Sequence, residues 1–178
     1  HQALTRARFS AGSKAVGIFF DDVRFEILSQ KRDIEHLRSE ILEMRRKVHA
    51  GHPNPSTDFD LKHDAGGMVD IEFIVQFLVL AFSNTHSQLI GNLGNIALLR
   101  IAGELGLIQI QIACEVGDAY RLLRSRQHRL RLDGAEKTRV ELSLEPQLVV
   151  ARKVVLGLWQ EVFPVSYTHL RAHETEAD

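Results

Sequence analysis

Cysteine occurs once in this 178-residue chain, at Cys114, so no internal disulfide can form. A lone thiol fits a reducing compartment. Cys114 lies in a helical pattern between Ala113 and Glu115 and reads as a small core residue. Proline occurs only four times, which leaves long stretches free to be helical. No run of uncharged apolar residues reaches the roughly 20 that a bilayer-spanning helix needs. The first residues are polar and basic, unlike a secretory leader. The net charge is only -1, which gives no electrostatic reason to expect nucleic acid or an anionic membrane as partner. Sustained apolar–polar alternation and repeats at solenoid spacing are also missing, which argues against sheets and helical arrays. The chain starts at His1 rather than Met and reads as a piece of a longer protein.

What is present is globular and helical. Hydrophobic residues make up 44% and charged residues 25%, enough for one domain with a core. The stretch from Asp60 to Leu80 dominates. A polar loop, Asp60-Leu61-Lys62-His63-Asp64-Ala65-Gly66-Gly67, leads directly into a helix that is apolar almost all round and belongs in a domain centre. Ala15–Ser29 has helical spacing, with Val16, Phe19, Phe20, Val23 and Ile27 on one face. Asp33 is placed to cap the next helix, whose stripe is Ile34, Leu37, Ile41, Met44 and Val48. Arg45-Arg46-Lys47 complements that helix's C-terminal dipole. Pro53 and Pro55 keep 50–67 as a long loop, in which Phe59 and Leu61 anchor a short extended piece.

Further on, 84–92 reads as a polar turn and Leu93–Leu105 as a helix, with Ile96, Leu99, Ala102 or Gly103, and Leu105 or Gly106 toward the core and Gly106 as its C-cap. A long helix from Gln109 to Leu132 turns Ile112, Val116, Tyr120, Leu123 and Leu130 inward and breaks at Asp133-Gly134. Pro146 opens a last helix carrying Leu148, Val149, Val155, Leu156, Trp159 and Phe163. The expectation is an all-α bundle of about six or seven helices. Val165–Asp178 has no apolar period and resembles translated adapter sequence at the end of a gene fragment, so it is set apart from the fold. His169 and His173, four apart beside Glu174, have metal-ligand spacing only if a packed helix holds them.

Three groups of residues invite chemistry. Gly66 and Gly67 allow positive φ, a helix start follows, and Lys62 adds a full charge. Together they could cradle a phosphate, although the same pattern also makes a plain tight turn with a solvated lysine. Asp70 and Glu72 are two apart and point to different sides, so they are not a one-face carboxylate pair. Both suit a helix N-terminus, and Asp70 is the closer to Gly67. His63-Asp64 matches a metal-ligating dipeptide of HD-type phosphohydrolases, but within a loop rather than a helix. Arg121, Arg124, Arg126, Arg129 and Arg131, with His128, spiral along the long helix as a solvated face or, through Arg121, Arg124 and Arg131, a docking surface for a partner.

The run from Asp60 to Leu80 closely resembles the C-terminal half of bacterial glutamine synthetase adenylyltransferases. His1-Gln2-Ala3-Leu4-Thr5-Arg6-Ala7-Arg8 resembles the close of that family's nucleotidyltransferase domain. Tyr120-Arg121-Leu122-Leu123-Arg124 and Leu156–Phe163 resemble its closing helices. Asp64 stands where many members carry Gly. Related uridylyltransferases have a similar lysine and Gly-Gly loop, and Asp70-Ile71-Glu72-Phe73 favours the adenylyltransferases.

The resemblance implies a large cytoplasmic enzyme with two nucleotidyltransferase halves. One half transfers AMP from ATP, with Mg2+, to a tyrosine of glutamine synthetase, and the other removes it by phosphorolysis under control of glutamine and the PII signalling protein. It implies that 1–12 close the nucleotidyltransferase domain, 13–164 form the helical domain of the adenylylating half, and 165–178 are foreign or disordered. The Gly-Ser motif and metal-binding aspartates would lie outside this chain, so no residue here is expected to be catalytic or to bind metal, and the piece alone is expected to be inactive. Lys62, Gly66, Gly67, Asp70, Arg6 and Arg8 would face the nucleotide. Expected partners are glutamine synthetase, PII and the upstream domain, with no nucleic acid or membrane. Two rivals are a stand-alone regulatory module that binds a protein through its arginine face and an HD-type metal phosphohydrolase.

Overall fold

The computed structural model describes residues 2–164. Among them six α-helices follow in order: α1 Lys14–Leu28, α2 Ile34–Gly51, α3 Met68–Phe82, α4 Asn95–Glu104, α5 Ile110–Leu132 and α6 Pro146–Val162. Short 3-10 turns occupy Gln2–Thr5, Ser87–Ile90 and Leu142–Leu144. Two short strands, β1 Phe59–Asp60 and β2 Arg139–Val140, pair antiparallel with Phe59 opposite Val140. The all-α bundle is therefore borne out, with one small ladder added. The expectations for Val165–Asp178, His169 and His173 lie outside the described residues.

The core is built around α3. Twelve of its fifteen residues are buried, and α2, α4, α5 and α6 all pack on it. A helix surrounded in this way needs apolar side chains on every side, and the run from Ile71 through Leu80 supplies them. Helix α5 lies against α4 and α6. Its approach to α4 depends on Gly103, where a Cβ would lie 2.7 Å from Ile110 Cδ1 and 3.0 Å from Ala113 Cβ.

The helix ends follow local chemistry. The Asp33 carboxylate accepts the His36 N–H at 2.7 Å and caps α2. Gly106, at φ +71°, closes α4, with the Leu107 N–H donating to Ala102 O. Gly134 turns the chain after α5 at φ +83°. Pro146 stands in the first turn of α6.

Several side chains depart from the sequence reading. The apolar face assigned to α1 is only partly covered: Val16 is 61% and Phe19 69% exposed, Phe20, Val23 and Ile27 are half-buried, and Gly17, Arg24 and Leu28 are the buried positions. Spacing correctly grouped the apolar residues, but only a narrow edge of the helix meets the domain. Cys114 is exposed, because Ala113 takes the inward position and the next residue is turned about 100° away. Leu89 and Ile90, in the supposed polar turn, are buried. Met44 and Val149 lie at the solvent side of their helices. In α4 Leu99, Ala102 and Gly103 are core positions as expected, joined by Leu98, while Ile96 is only partly buried against the core. Arg45 is not a solvated complement to a helix end; it enters the core and meets Asp70.

Candidate functional site

The polar loop before α3 is pinned first by its apolar residues. Phe59 and Leu61 are buried, and the Leu61 N–H donates to Thr138 O at 3.0 Å, which extends the β1–β2 contact. The carboxylates then tie the polar residues. Asp60 Oδ1 accepts the N–H groups of Lys62 and His63, both at 2.9 Å. Asp64 Oδ2 accepts the Asp60 N–H at 2.9 Å and Asn54 Nδ2 at 2.7 Å. Burial would raise the Asp60 pKa, but the backbone N–H groups of His63 and Lys62 outweigh it and hold the carboxyl below its ordinary value.

The glycines serve this knot. Gly66 adopts φ +83°, and a Cβ there would lie 2.6 Å from Arg152 Cγ and 3.0 Å from Arg152 O. A Cβ on Gly67 would meet three carbonyl oxygens, of Asp64, Leu61 and Lys62, at 2.9–3.0 Å. Their amides point inward. Gly66 N–H donates to Asp70 Oδ2 at 2.7 Å and Gly67 N–H to Asp64 O at 2.9 Å. The first α3 amides are also taken: Met68 donates to Leu61 O and Val69 to Lys62 O, each at 3.0 Å. A phosphate cradle would need these N–H groups open. The loop backbone caps α3 instead.

Asp70 completes the knot. It is 2% exposed, and its second oxygen pairs with Arg45 Nε, while Arg45 Nη2 donates to His63 O at 3.1 Å. Both Asp70 oxygens are therefore engaged within the fold. Its partner carboxylate Glu72 points elsewhere, as the two-residue spacing required. Glu72 Oε2 accepts Arg6 Nη1 at 3.0 Å, and Glu72 Oε1 accepts the Tyr120 hydroxyl at 3.1 Å. Asn95 Nδ2 donates to the same hydroxyl at 3.0 Å. Burial, then the nearby Glu72 charge, push the Tyr120 pKa up.

Lys62 is the residue left free. It is exposed and forms no ion pair among the described residues. It borders two cavities. One, of about 370 Å3, is shared with Arg6, Glu72, His52 and His63. The other, of about 400 Å3, is shared with Asp60, Arg131, Lys137 and Arg139. Arg6 also borders a third cavity of about 460 Å3, with Arg8, Arg124 and Tyr120. Lys62 and Arg6 thus share a cavity with Glu72, Arg8 lies beside Arg6 in the next one, and Gly66, Gly67 and Asp70 are buried in the loop's mount. The sequence reading did not single out Lys137 and Arg139, which lie between the break at Asp133-Gly134 and Pro146. Their one signal was the alternation of Thr138, Arg139 and Val140, a run too short to mark a strand.

The other sequence candidates divide. His63 stacks on His52 with ring centroids 4.0 Å apart, and its Nδ1 lies 3.5 Å from Asp60. Burial lowers its pKa, against the opposing pull of Asp60. With Asp64 already engaged by Asn54 and Asp60, the His63-Asp64 pair is a structural element of the loop. On α5, Arg121 pairs with Asp118, Arg131 donates to the carbonyls of Ala135 and Glu136, and Arg124 lies 5.8 Å from the Tyr120 ring centre. Arg126, in the same spiral, clamps Glu145 with Nη2 at 2.7 Å.

Fold and site together define a helical domain that presents a cationic face from a loop locked onto its central helix. A sequence model of the GlnD PII-uridylyltransferase family matches residues 28–172, most of the chain, and the chain belongs to that family. The match extends past residue 164 into the segment that was set apart. The chain is 55% identical over 162 residues to a Bordetella bronchiseptica protein named bifunctional glutamine synthetase adenylyltransferase/adenylyl-removing enzyme, covering 91% of this chain and 17% of that protein. Relatives of the same name in Aromatoleum aromaticum, at 52% over 163 residues, and Nitrosomonas europaea, at 47% over 174, are each covered over 92% of this chain and 17% and 19% of their own lengths. The resemblance carried by Asp60–Leu80 is borne out. The chain spans less than a fifth of the length of these relatives.

Proposed function

We propose that this chain is the helical domain of a cytoplasmic enzyme that adenylylates and deadenylylates glutamine synthetase, and that it supports the adenylylating half. The observation that carries the reading is Lys62: an unpaired cation on a loop whose Asp60, Asp64 and Asp70 carboxylates are committed to holding its shape. The names of the relatives supply adenylyl transfer; ATP and a tyrosine acceptor are what the resemblance to that family implies, and they complete the proposed reaction. In it a tyrosine hydroxyl attacks the α-phosphorus of ATP, the α–β bond breaks, and pyrophosphate leaves. Negative charge gathers on the phosphates, and a fixed cation beside them lowers the barrier. Lys62, with Arg6 in its cavity and Arg8 in the next, supplies that charge. Arg6 is already balanced by Glu72, so Lys62 is the larger contributor.

Mg2+ supplies charge neutralisation at the phosphates when bound. The loop carboxylates here do not fit it. Asp70 is engaged by Arg45 and Gly66, and Asp64 by Asn54 and Asp60. The metal-holding aspartates belong to the nucleotidyltransferase domain of the parent polypeptide. Glutamine synthetase is the substrate partner and PII the regulatory one in this reading. The test is Lys62→Ala in the full-length parent, assayed for AMP transfer to glutamine synthetase. A fall in kcat/KM of about tenfold or more is expected from losing one such charge-assisted contact. Unchanged kinetics would overturn the role of Lys62.

A further inference from the structure

Of the two cavities that Lys62 borders, the one without Glu72 collects positive charge. Lys62 reaches it from the loop, Arg131 from the last turn of α5, and Lys137 and Arg139 from the run into β2. Against these four cations stand two carboxylates, Asp60 and Glu136. Asp60 Oδ1 is already occupied by two backbone N–H groups. Lys62 and Lys137 form no ion pair among the described residues, and Arg131 donates only to the carbonyls of Ala135 and Glu136. Arg139 is the least satisfied. Its guanidinium makes one hydrogen bond, from Nη2 to Pro53 O at 3.4 Å, and its Nε is buried with no acceptor. Asp60 Oδ2 lies 3.9 Å from that Nε, too far for a hydrogen bond. A guanidinium carries five N–H donors, so most of this one's capacity is unused, and a side chain only 19% exposed draws little of it from water.

We propose that this cavity, of about 400 Å3, is a binding site for a phosphate dianion, either free orthophosphate or the phosphoryl end of a monoester. The charge fits: four cations against two carboxylates leave a surplus of two. The arrangement fits as well. Donors come from three separate segments, so they surround a tetrahedral anion rather than flank a planar carboxylate. Arg131 and Arg139 offer forked donors to phosphate oxygens, and the two lysines add mobile point charges. Among the described residues no Phe, Tyr or Trp lines the cavity, so it offers no aromatic platform to a base, and recognition ends at the phosphate. Lys62 is common to both of its cavities, whereas Arg131, Lys137 and Arg139 border this one and not the other. The site stands on this geometry alone and does not depend on the adenylyltransferase reading.

The experiment acetylates the lysines of the full-length parent with a succinimidyl ester and follows Lys137 by mass spectrometry. Sodium phosphate and glycerol 3-phosphate are compared with sodium chloride at equal ionic strength. Lys137 is expected to react roughly threefold or more slowly once phosphate exceeds its half-saturating concentration, while Lys31, outside the cavity, keeps its chloride rate. Whichever compound protects at the lower concentration identifies the source of the phosphoryl group. Arg139→Gln should abolish the protection. Arg131→Gln, at an exposed helix end, should weaken it and carries the test if Arg139→Gln does not fold. Equal Lys137 rates in phosphate and chloride would overturn the site, as would equal slowing at Lys31 or undiminished protection in the folded variants. Lys137 is read directly, so AMP transfer does not enter the result.

Discussion

Helices α1 and α3 have the same length, fifteen residues, and both are predominantly apolar. α3 buries twelve of its residues and α1 buries three. Periodicity alone could not separate them, because an apolar face states that something covers it and not what does. α3 is covered by four helices of its own domain. α1 touches its domain along one edge, through Arg24 and Leu28. The lesson is that an apolar helix at the margin of a domain is read best as unfinished packing, and the charged residue on its inner edge shows where it is fastened.

The largest effect should come from breaking the base of α3. Asp70→Ala leaves Arg45 buried without a partner and frees the Gly66 N–H, and it should cost about 3–5 kcal/mol in urea unfolding. Ile74→Ala, in the middle of α3, should cost about 2–5 kcal/mol, whereas Phe19→Ala on α1 should stay within about 0.5 kcal/mol in this chain. Equal losses at the two positions would remove the distinction between the helices. Gly66→Ala combines a positive φ with overlap against the Arg152 backbone and should destabilise by about 1–3 kcal/mol. A variant as stable as the parent chain would mean that the loop is looser than the geometry implies.

The smallest effect is a pH dependence. Burial holds the His63 pKa below its ordinary 6.5, so the unfolded chain binds the proton more readily than the folded one. Stability from this residue is fully present above pH 6.5 and is lost as pH falls through the lower folded value. His63→Gln should flatten that part of the pH profile, measured by thermal melts, and leave the alkaline side unaltered. A profile unchanged by the substitution would place the titration elsewhere.

The helices were legible because capping and periodicity act locally: Asp33, Gly106, Asp133-Gly134 and Pro146 each stand at an observed helix boundary. The centrality of α3 was legible from its being apolar almost all round. The work of the loop was not. Gly66 and Gly67 looked equally suited to a phosphate cradle or a tight turn, and the choice depends on where Asp70 and Asp64 point, which depends on Arg45 and Asn54 at 25 and 10 residues' distance. Arg45 was misassigned for the same reason: a basic residue near a helix end has a local explanation ready, and its true partner is supplied by packing. Glu72 with Tyr120 and Arg6, and Asp60 with Arg139, are likewise long-range pairings that no spacing rule could reveal.

The central claim is that the loop is a rigid mount and that Lys62 is the group it presents. The direct measurement is a paired one on the full-length parent: unfolding temperature and AMP-transfer kinetics for Lys62→Ala. The account predicts an unfolding temperature equal to that of the unaltered enzyme and a kcat/KM lower by about tenfold or more. Unaltered kinetics, or a loss of activity matched by a loss of stability, would contradict it.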